Sequence, residues 1–572
     1  MRNRYTFVFT AVALFVCAAA SAQNLDPTVE VSRAYEGKLV EVSKPVREMT
    51  VPDSVSTFRL DFDYSVFEKP YKGAYDFTPY MMAMRPETVL RDRRTFYLKA
   101  GAGYRLNPVL DLFWTPSLGK GLSLDVYAMH GSYVGDYREI SLNELVPGRY
   151  ALSMKDNARW KNGYDLKSQA GADLRYEWGR GIFAFNAGYY GLAGKNPLRT
   201  RCYDALDVNA IVASNKNEET NFIYRVAADY RFAEDKLMQG GAACIVEHLA
   251  SADISLGPVF KHGHNVRFDF GADAAVYKAA LNGAGGRFYF TPRYILKKGR
   301  LSLDAGVRLD LLFGSSDQTA MFHTGSQQYV YPDVKVDFAI IKNALDIYAK
   351  VGGGTRMNTY ASIVDRNHYA DAFTVLARPS VLDNDVERVN ASVGLRGSIS
   401  TRFSYDLRGG YANIANGLLD ALAMPFVPYV AQLGYASYQK AFAAFDWRWD
   451  SEDFKFDGTV EYVHAWDFDS SSCVFAPAFL TADAAFEYNW RRRIFVGVDC
   501  EFSTGRKLKG QTGGLDIVLP WYADLGVSAE YAFNRKLSFW LRGGNLCCMT
   551  IQRTPLYAEG GINFTAGICL NL

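Results

Sequence analysis

Over 521–533 the chain reads W-Y-A-D-L-G-V-S-A-E-Y-A-F, a near-strict alternation of apolar and polar positions. Successive side chains of a strand point to opposite faces. Trp521, Ala523, Leu525, Val527, Ala529, Tyr531 and Phe533 therefore share one face, and Tyr522, Asp524, Gly526, Ser528 and Glu530 share the other. The pattern returns over 301–311, where Leu303, Val307 and Leu309 interleave with Asp304, Arg308 and Asp310. It returns again over 266–274, with Phe268 and Phe270 against Arg267, Asp269 and Asp273, and over 480–490, with Phe486 and Trp490 against Asp483 and Glu487. A soluble sheet presents such a two-faced strand once or twice. Segments of about 10–14 residues with this period along most of a chain are the signature of a transmembrane barrel, lipid on the apolar face and water on the polar one. The expected fold is all-β, a closed antiparallel barrel.

The connections sort into two classes. Short charged turns are expected at 119–121, 179–181, 233–236, 262–265, 297–300, 341–343, 400–402, 450–453, 491–493 and 534–536. Longer irregular stretches separate them at 135–165, 194–218, 315–329, 358–387, 417–430, 469–476, 507–518 and 551–558. Short periplasmic turns and long extracellular loops are the asymmetry of outer-membrane barrels. Counting strands from residue 95 gives about 22, within a range of roughly 18–22. On that count 521–533 is about strand 20, both barrel ends are periplasmic, and the barrel occupies 95–572.

Aromatics support the membrane reading. The chain has 37 Tyr and 37 Phe, and 49 Gly suited to turns. Trp178, Phe232, Tyr294, Trp449, Trp490 and Phe533 are expected where strands meet the short turns, forming a periplasmic girdle against lipid head groups. Arg2 and Arg4, an apolar run over 5–19 and A-S-A at 20–22 read as a signal peptide, 1–22. A net charge of +2 gives no basis for nucleic-acid binding. Of 8 cysteines Cys17 falls in that leader; the others are dispersed and odd in number, which argues against a disulfide framework.

The chain ends G-I-N-F-T-A-G-I-C-L-N-L, placing Phe564, Ile568, Leu570 and Leu572 on one face of a terminal strand. Together with W-L-R-G-G-N-L-C-C-M at 540–549 and P-L-Y-A-E-G-G over 555–561, this resembles the closing hairpin of TonB-dependent receptors. The resemblance lies in motif over the last residues and in architecture over 95–572. It implies an outer-membrane transport barrel in a Gram-negative bacterium, and a terminal strand read by the barrel-assembly machinery. The departure is at the N-terminus. Residues 23–94 are too few for the plug domain of such receptors, and T-V-E-V at 28–31 is only loosely similar to a TonB box. The segment is Pro-interrupted and is expected to be a reduced plug in the lumen or a periplasmic docking arm.

No catalytic, cofactor or metal site is expected. The histidines show no nucleophile–base pattern, and His262-Gly-His264 offers two ligands in a tight turn without a third. Gly352-Gly353-Gly354 lacks the Lys-Ser/Thr of a phosphate loop and marks a bend or close packing. The chemistry-bearing set is the polar face: Arg267, Asp269, Asp304, Arg308, Asp310, Asp457, Glu461, Asp483, Glu487, Asp499, Glu501, Asp524 and Glu530 as lumen-lining residues. Two readings compete for it. The charges are cross-strand ion pairs that hold register, or they give an acidic lumen a preference for cations and neutral solutes. At the level of the protein, a transport barrel or large pore, occluded by 23–94, by loops or by a partner, stands beside a non-transporting scaffold for an envelope complex. A periplasmic or surface lipoprotein is the partner either reading would call for.

Overall fold

The computed structural model describes residues 95–572 apart from 105, 120, 216–221, 239–241, 261–262, 317–324, 343, 370–381, 423–425, 427–431, 470–472 and 511. The expected signal peptide, the segment 23–94 with its T-V-E-V stretch, and His262 lie outside the described residues.

The wall begins with β1 (Phe96–Tyr104), β2 (Val109–Trp114), β3 (Leu122–Val146), β4 (Arg149–Trp178), β5 (Gly181–Lys195), β6 (Thr200–Ser214), β7 (Phe222–Met238) and β8 (Ala242–Pro258). It continues through β9 (His264–Ala279), β10 (Gly283–Lys298), β11 (Leu301–Ser316), β12 (Gly325–Ile341), β13 (Leu345–Met357), β14 (Asn384–Ser398), β15 (Phe403–Ala421), β16 (Gln432–Asp450) and β17 (Phe454–Asp469). The short β18 (Val474–Phe475) interrupts before β19 (Leu480–Trp490) and β20 (Ile494–Thr504). Two more short strands, β21 (Leu508–Lys509) and β22 (Asp516–Val518), precede β23 (Tyr522–Ala532), β24 (Leu537–Gly544) and β25 (Asn563–Asn571). Leaving aside the three short strands, 22 antiparallel strands close the ring. Closure is by β25 on β1, with Leu570 opposite Leu98 and Phe564 opposite Tyr104. A closed ring leaves no unpaired edge, so each spanning strand satisfies its backbone groups inside lipid.

The alternation decides which way each strand faces. On β11, Val307, Leu309, Leu311 and Phe313 are exposed on the outside of the barrel, whereas Asp310 and Leu312 are buried within it. A belt of such outward side chains runs around the wall, including Val226, Phe268, Phe288, Leu407, Phe445, Phe486, Phe539 and Ile568. In water this belt would be far larger than the apolar patches of a soluble monomer. Against acyl chains it is the expected surface, and the architecture is that of an outer-membrane barrel.

Three connections differ from the sequence reading. No turn lies at 233–236: β7 runs on to Met238, and its ladder to β8 continues to Met238 opposite Ala242. The charged run A-E-D-K looked like a solvated turn, but it keeps the strand period. Asp235 points inward and is buried, while Glu234 and Lys236 pair with each other at 3.4 Å. The corresponding turn joins β6 to β7 at the other rim, after Ser214. The stretch 194–218, expected as a long loop, is mostly β6, reached from β5 by a tight turn in which Asn196 accepts from the backbone of Leu198 and Arg199. The stretch 135–165 is also strand, since β3 and β4 pair from Leu122–Tyr176 to Val146–Arg149 through three register shifts.

All this leaves two rims. The turn rim carries the short turns and both ends of the wall, and the loop rim carries the long connections. The buried core lies inside the barrel toward the loop rim. One cluster joins Tyr190 and Leu192 of β5, Tyr203 of β6, Leu237 of β7, Ile245 of β8 and Tyr277 of β9 to Leu418, Leu433 and Tyr435 of β15 and β16. A register shift between Ile414 and Gly417 turns the β15–β16 hairpin so that its two faces serve different clusters. A further cluster caps the rim with Ile140, Leu152, Phe475, Leu508, Ile517, Leu519 and Tyr557.

Candidate functional site

The connection from β13 to β14 contributes a helix to that core. α1 (Tyr360–Arg366) buries Tyr360, Ala361, Ile363 and Val364. Thr359 caps it, its hydroxyl accepting from the Ser362 amide at 3.1 Å. The wall supplies two polar anchors. At the first, the Glu247 carboxylate of β8 accepts from the Ala361 amide at 3.1 Å and from the Tyr277 hydroxyl at 2.8 Å. The Tyr277 oxygen in turn accepts from the Tyr360 amide at 3.1 Å. A carboxylate at these buried first-turn amides satisfies donors that the helix itself cannot.

At the second anchor, Arg201 of β6 donates to Asp235 of β7 through Nε at 3.0 Å and Nη2 at 2.8 Å. Arg201 also donates to the Tyr360 hydroxyl at 2.9 Å and to the His368 carbonyl at 2.9 Å, and Tyr360 donates to Asp235. The side chains of Arg201 and Asp235 are 5% and 0% exposed, so neither ion has water as an alternative partner. Burial pushes the Tyr360 hydroxyl well above its ordinary range, and Asp235 adds to that. It therefore stays a donor.

A second strap comes from the connection between β24 and β25. Arg553 reaches the wall and donates to Glu501 at 2.5 Å and Asp524 at 2.9 Å, with Glu559 of its own strap also against it. Tyr522 donates to Glu501 at 2.6 Å. Arg506 holds the strap by its backbone, through the Arg553 carbonyl at 2.9 Å, and Gln552 donates to the Leu152 carbonyl at 2.9 Å. The two straps meet where Tyr369 stacks on Tyr557, ring centroids 3.8 Å apart.

The sequence-predicted lumen residues fall on two walls. On β9–β13 they form two ion-paired groups. Arg293 bridges Asp269 at 2.7 Å, Asp333 at 2.5 Å and Asp304 at 3.5 Å, and Arg267 adds to Asp269 at 3.0 Å. Arg308 pairs with Asp310 at 2.8 Å, and Asp310 accepts from the Thr355 amide and hydroxyl at 3.0 and 2.7 Å. On β17–β23 the pattern breaks. Asp483, Glu501 and Asp524 stand in one cross-strand row. Among the described residues only Glu501 and Asp524 of this row are ion-paired, both to Arg553. Glu530 accepts from the Ser538 hydroxyl at 2.5 Å. Asp457, Glu461, Asp483, Glu487 and Asp499 form neither a salt bridge nor a side-chain hydrogen bond among the described residues, although Arg448 is opposite Asp457 and Lys455 opposite Glu487 in register. Asp457, Asp483 and Asp499 line a cavity of about 530 Å³.

Of the girdle residues, Trp178 and Trp490 end β4 and β19 at the turn rim, Trp449 is the last but one residue of β16, Phe533 follows β23 there, and Tyr294 lies near that end of β10. Phe232 does not join them. It points outward from the loop-rim half of β7, against His248 at a ring separation of 5.3 Å, because the turn that would have placed it is elsewhere. Phe564, Ile568 and Leu570 lie on β25 with Leu572 just after it, Phe564 and Ile568 exposed outward. His264 opens β9 and shares a hydrogen bond of 2.5 Å with Tyr294. The glycine run sits at a register shift in β13, where a Cβ on Gly353 would come within 2.8 Å of the Arg388 carbonyl.

Arg201, Asp235, Glu247, Tyr277, Tyr360 and Arg553 were not singled out by sequence. The available signal was a lone acid within apolar strand, as for Glu247 in A-A-C-I-V-E-H-L-A.

No protein-family model matches the chain, and no curated protein matches it in sequence. Solved structures do match in fold. The FrpB iron transporter from Neisseria meningitidis superposes with a TM-score of 0.63 at 9% identity, covering 84% of this chain and 82% of that one. The siderophore receptor PiuA from Acinetobacter baumannii gives 0.59 at 9% identity over 83% and 81%, and the ferric-catecholate import receptor Fiu from E. coli K12 gives 0.59 at 11% over 84% and 82%. At such identities the likeness is one of fold: this barrel has the fold of the TonB-dependent receptor barrels.

Proposed function

We propose that this protein is a transport barrel of the Gram-negative outer membrane, with a lumen stoppered at its loop rim by its own connections. The observation that carries the reading is the combination of a polar, charged inner wall with straps that fill only one end of it. A ring of about 22 strands encloses more space than inward side chains can fill. A barrel that served only as an anchor has no use for such a lumen or for straps that close it. The fold neighbours support the same reading, since their names are those of a siderophore receptor, an iron transporter and an import receptor.

Residues 23–94 then act as a reduced plug or as a docking arm for a periplasmic or surface lipoprotein, and the barrel-assembly machinery inserts the chain through β25. Single-channel recording of the purified protein in planar bilayers, with and without 23–94, tests this. Resolved openings, more frequent in the truncated form, are expected. A silent barrel that co-purifies in fixed ratio with another envelope protein would favour the scaffold instead.

A further inference from the structure

We infer that α1 is a releasable stopper: a gate that leaves the lumen as one unit while the ring around it stays intact. The inference rests on the transport reading and names the part that moves.

The helix has 7 residues. Isolated helices of that length do not persist in water, so α1 is ordered by its dock and has a natural second state. The dock is built to survive losing it. If α1 leaves, Arg201 and Asp235 still hold each other, and Glu247 keeps the Tyr277 hydroxyl. Each buried ion keeps a partner, and water replaces the Tyr360 hydroxyl, the His368 carbonyl and the two amides. Release has a cost as well: Tyr360, Ile363 and Val364 leave the apolar cluster with Tyr203, Ile245 and Leu433, so the docked state is the resting one.

Water also has a place from which to enter. A cavity of about 370 Å³ lies against the helix, lined by Asp229, Arg231, Asp273, Arg287, Ser362 and Asp365. α1 therefore has a wet flank as well as a dry one. Its release would open the side of the lumen bounded by β5–β9, while Arg553 keeps the other strap on β20 and β23. The Tyr369–Tyr557 stack, the bond from Arg201 to the His368 carbonyl and the contacts of Asp365 with Arg231 and of His368 with Asp165 part with it.

Hydrogen exchange of the intact protein in detergent reads this without any substitution. Amides of Tyr360–Arg366 should exchange at least about 100-fold faster than those of β6–β8 around them, through an opening that does not need the ring to unfold. Equal rates overturn the inference. Glu247→Gln and Tyr360→Phe should each speed α1 exchange by about tenfold or more, leave β19 and β20 unchanged and raise the frequency of channel openings. Folding of each variant is checked by its heat-dependent migration on gels. Unchanged α1 exchange in a folded variant removes the stopper, whatever the channel does. Faster α1 exchange in a silent bilayer keeps the releasable helix, removes its role as a gate, and counts against transport.

Discussion

The lumen is charged on both sides, but the two sides use their charge differently. On β9–β13 a single arginine such as Arg293 holds three carboxylates from three strands, so the charge fixes register. On β17–β23 Asp457, Glu461, Asp483, Glu487, Asp499 and Glu530 form no ion pair among the described residues, and Glu501 and Asp524 depend on Arg553 sent in from a connection. Neither expectation from sequence covers the whole ring. Cross-strand pairing describes the first wall and not the second, where most of the acids have no basic partner among the described residues.

The strongest way to break the contrast is to remove an acid from each kind of environment. Asp235→Ala strands the Arg201 guanidinium in a dry site and should cost about 3–5 kcal/mol in urea unfolding. Asp483→Ala, on the unpaired wall, should change stability by less than about 0.5 kcal/mol. Next in size is Arg293→Met, which leaves three carboxylates facing one another and should cost about 1–3 kcal/mol. A third experiment separates stability from selectivity. Asp457→Asn, Asp483→Asn and Asp499→Asn together should leave unfolding unchanged yet move the reversal potential in a salt gradient toward zero, whereas Arg293→Met should not. The smallest effect is expected at the rim. Arg149→Ala removes a pair with Asp516 whose side chains are 48% and 50% exposed, and its cost should be about 0–0.5 kcal/mol.

The wall was legible because lipid imposes a period of two on every strand that crosses it, and Leu301 to Leu311 or Trp521 to Phe533 could not satisfy it by accident. Closure was legible from Phe564 to Leu572 for the same reason. The stopper was not. Y-A-S-I-V-D-R is too short for a helical period to emerge, and its anchors come from distant strands, with Arg201 and Tyr360 159 residues apart. The run at 233–236 misled because charge was read as solvent exposure, when Asp235 is among the most deeply buried residues of the chain. Pairing partners in a ring depend on register shifts such as that between Ile414 and Gly417, which leave no local mark.

The wall is also uneven in height. β24, β25 and β1 have 8, 9 and 9 residues, against 17 for β7 and 19 for β15. At about 3.4 Å per residue and a tilt near 40°, a nine-residue strand rises about 23 Å and a 17-residue strand about 44 Å. The first barely matches the apolar band of the bilayer; the second stands clear of it. The strands are therefore lowest along the seam where the ring closes, and connections make up the missing height there: β22 pairs with the start of β4, and Leu519, Leu556 and Tyr557 pack with Ile140 and Leu152 of the tall β3–β4 hairpin.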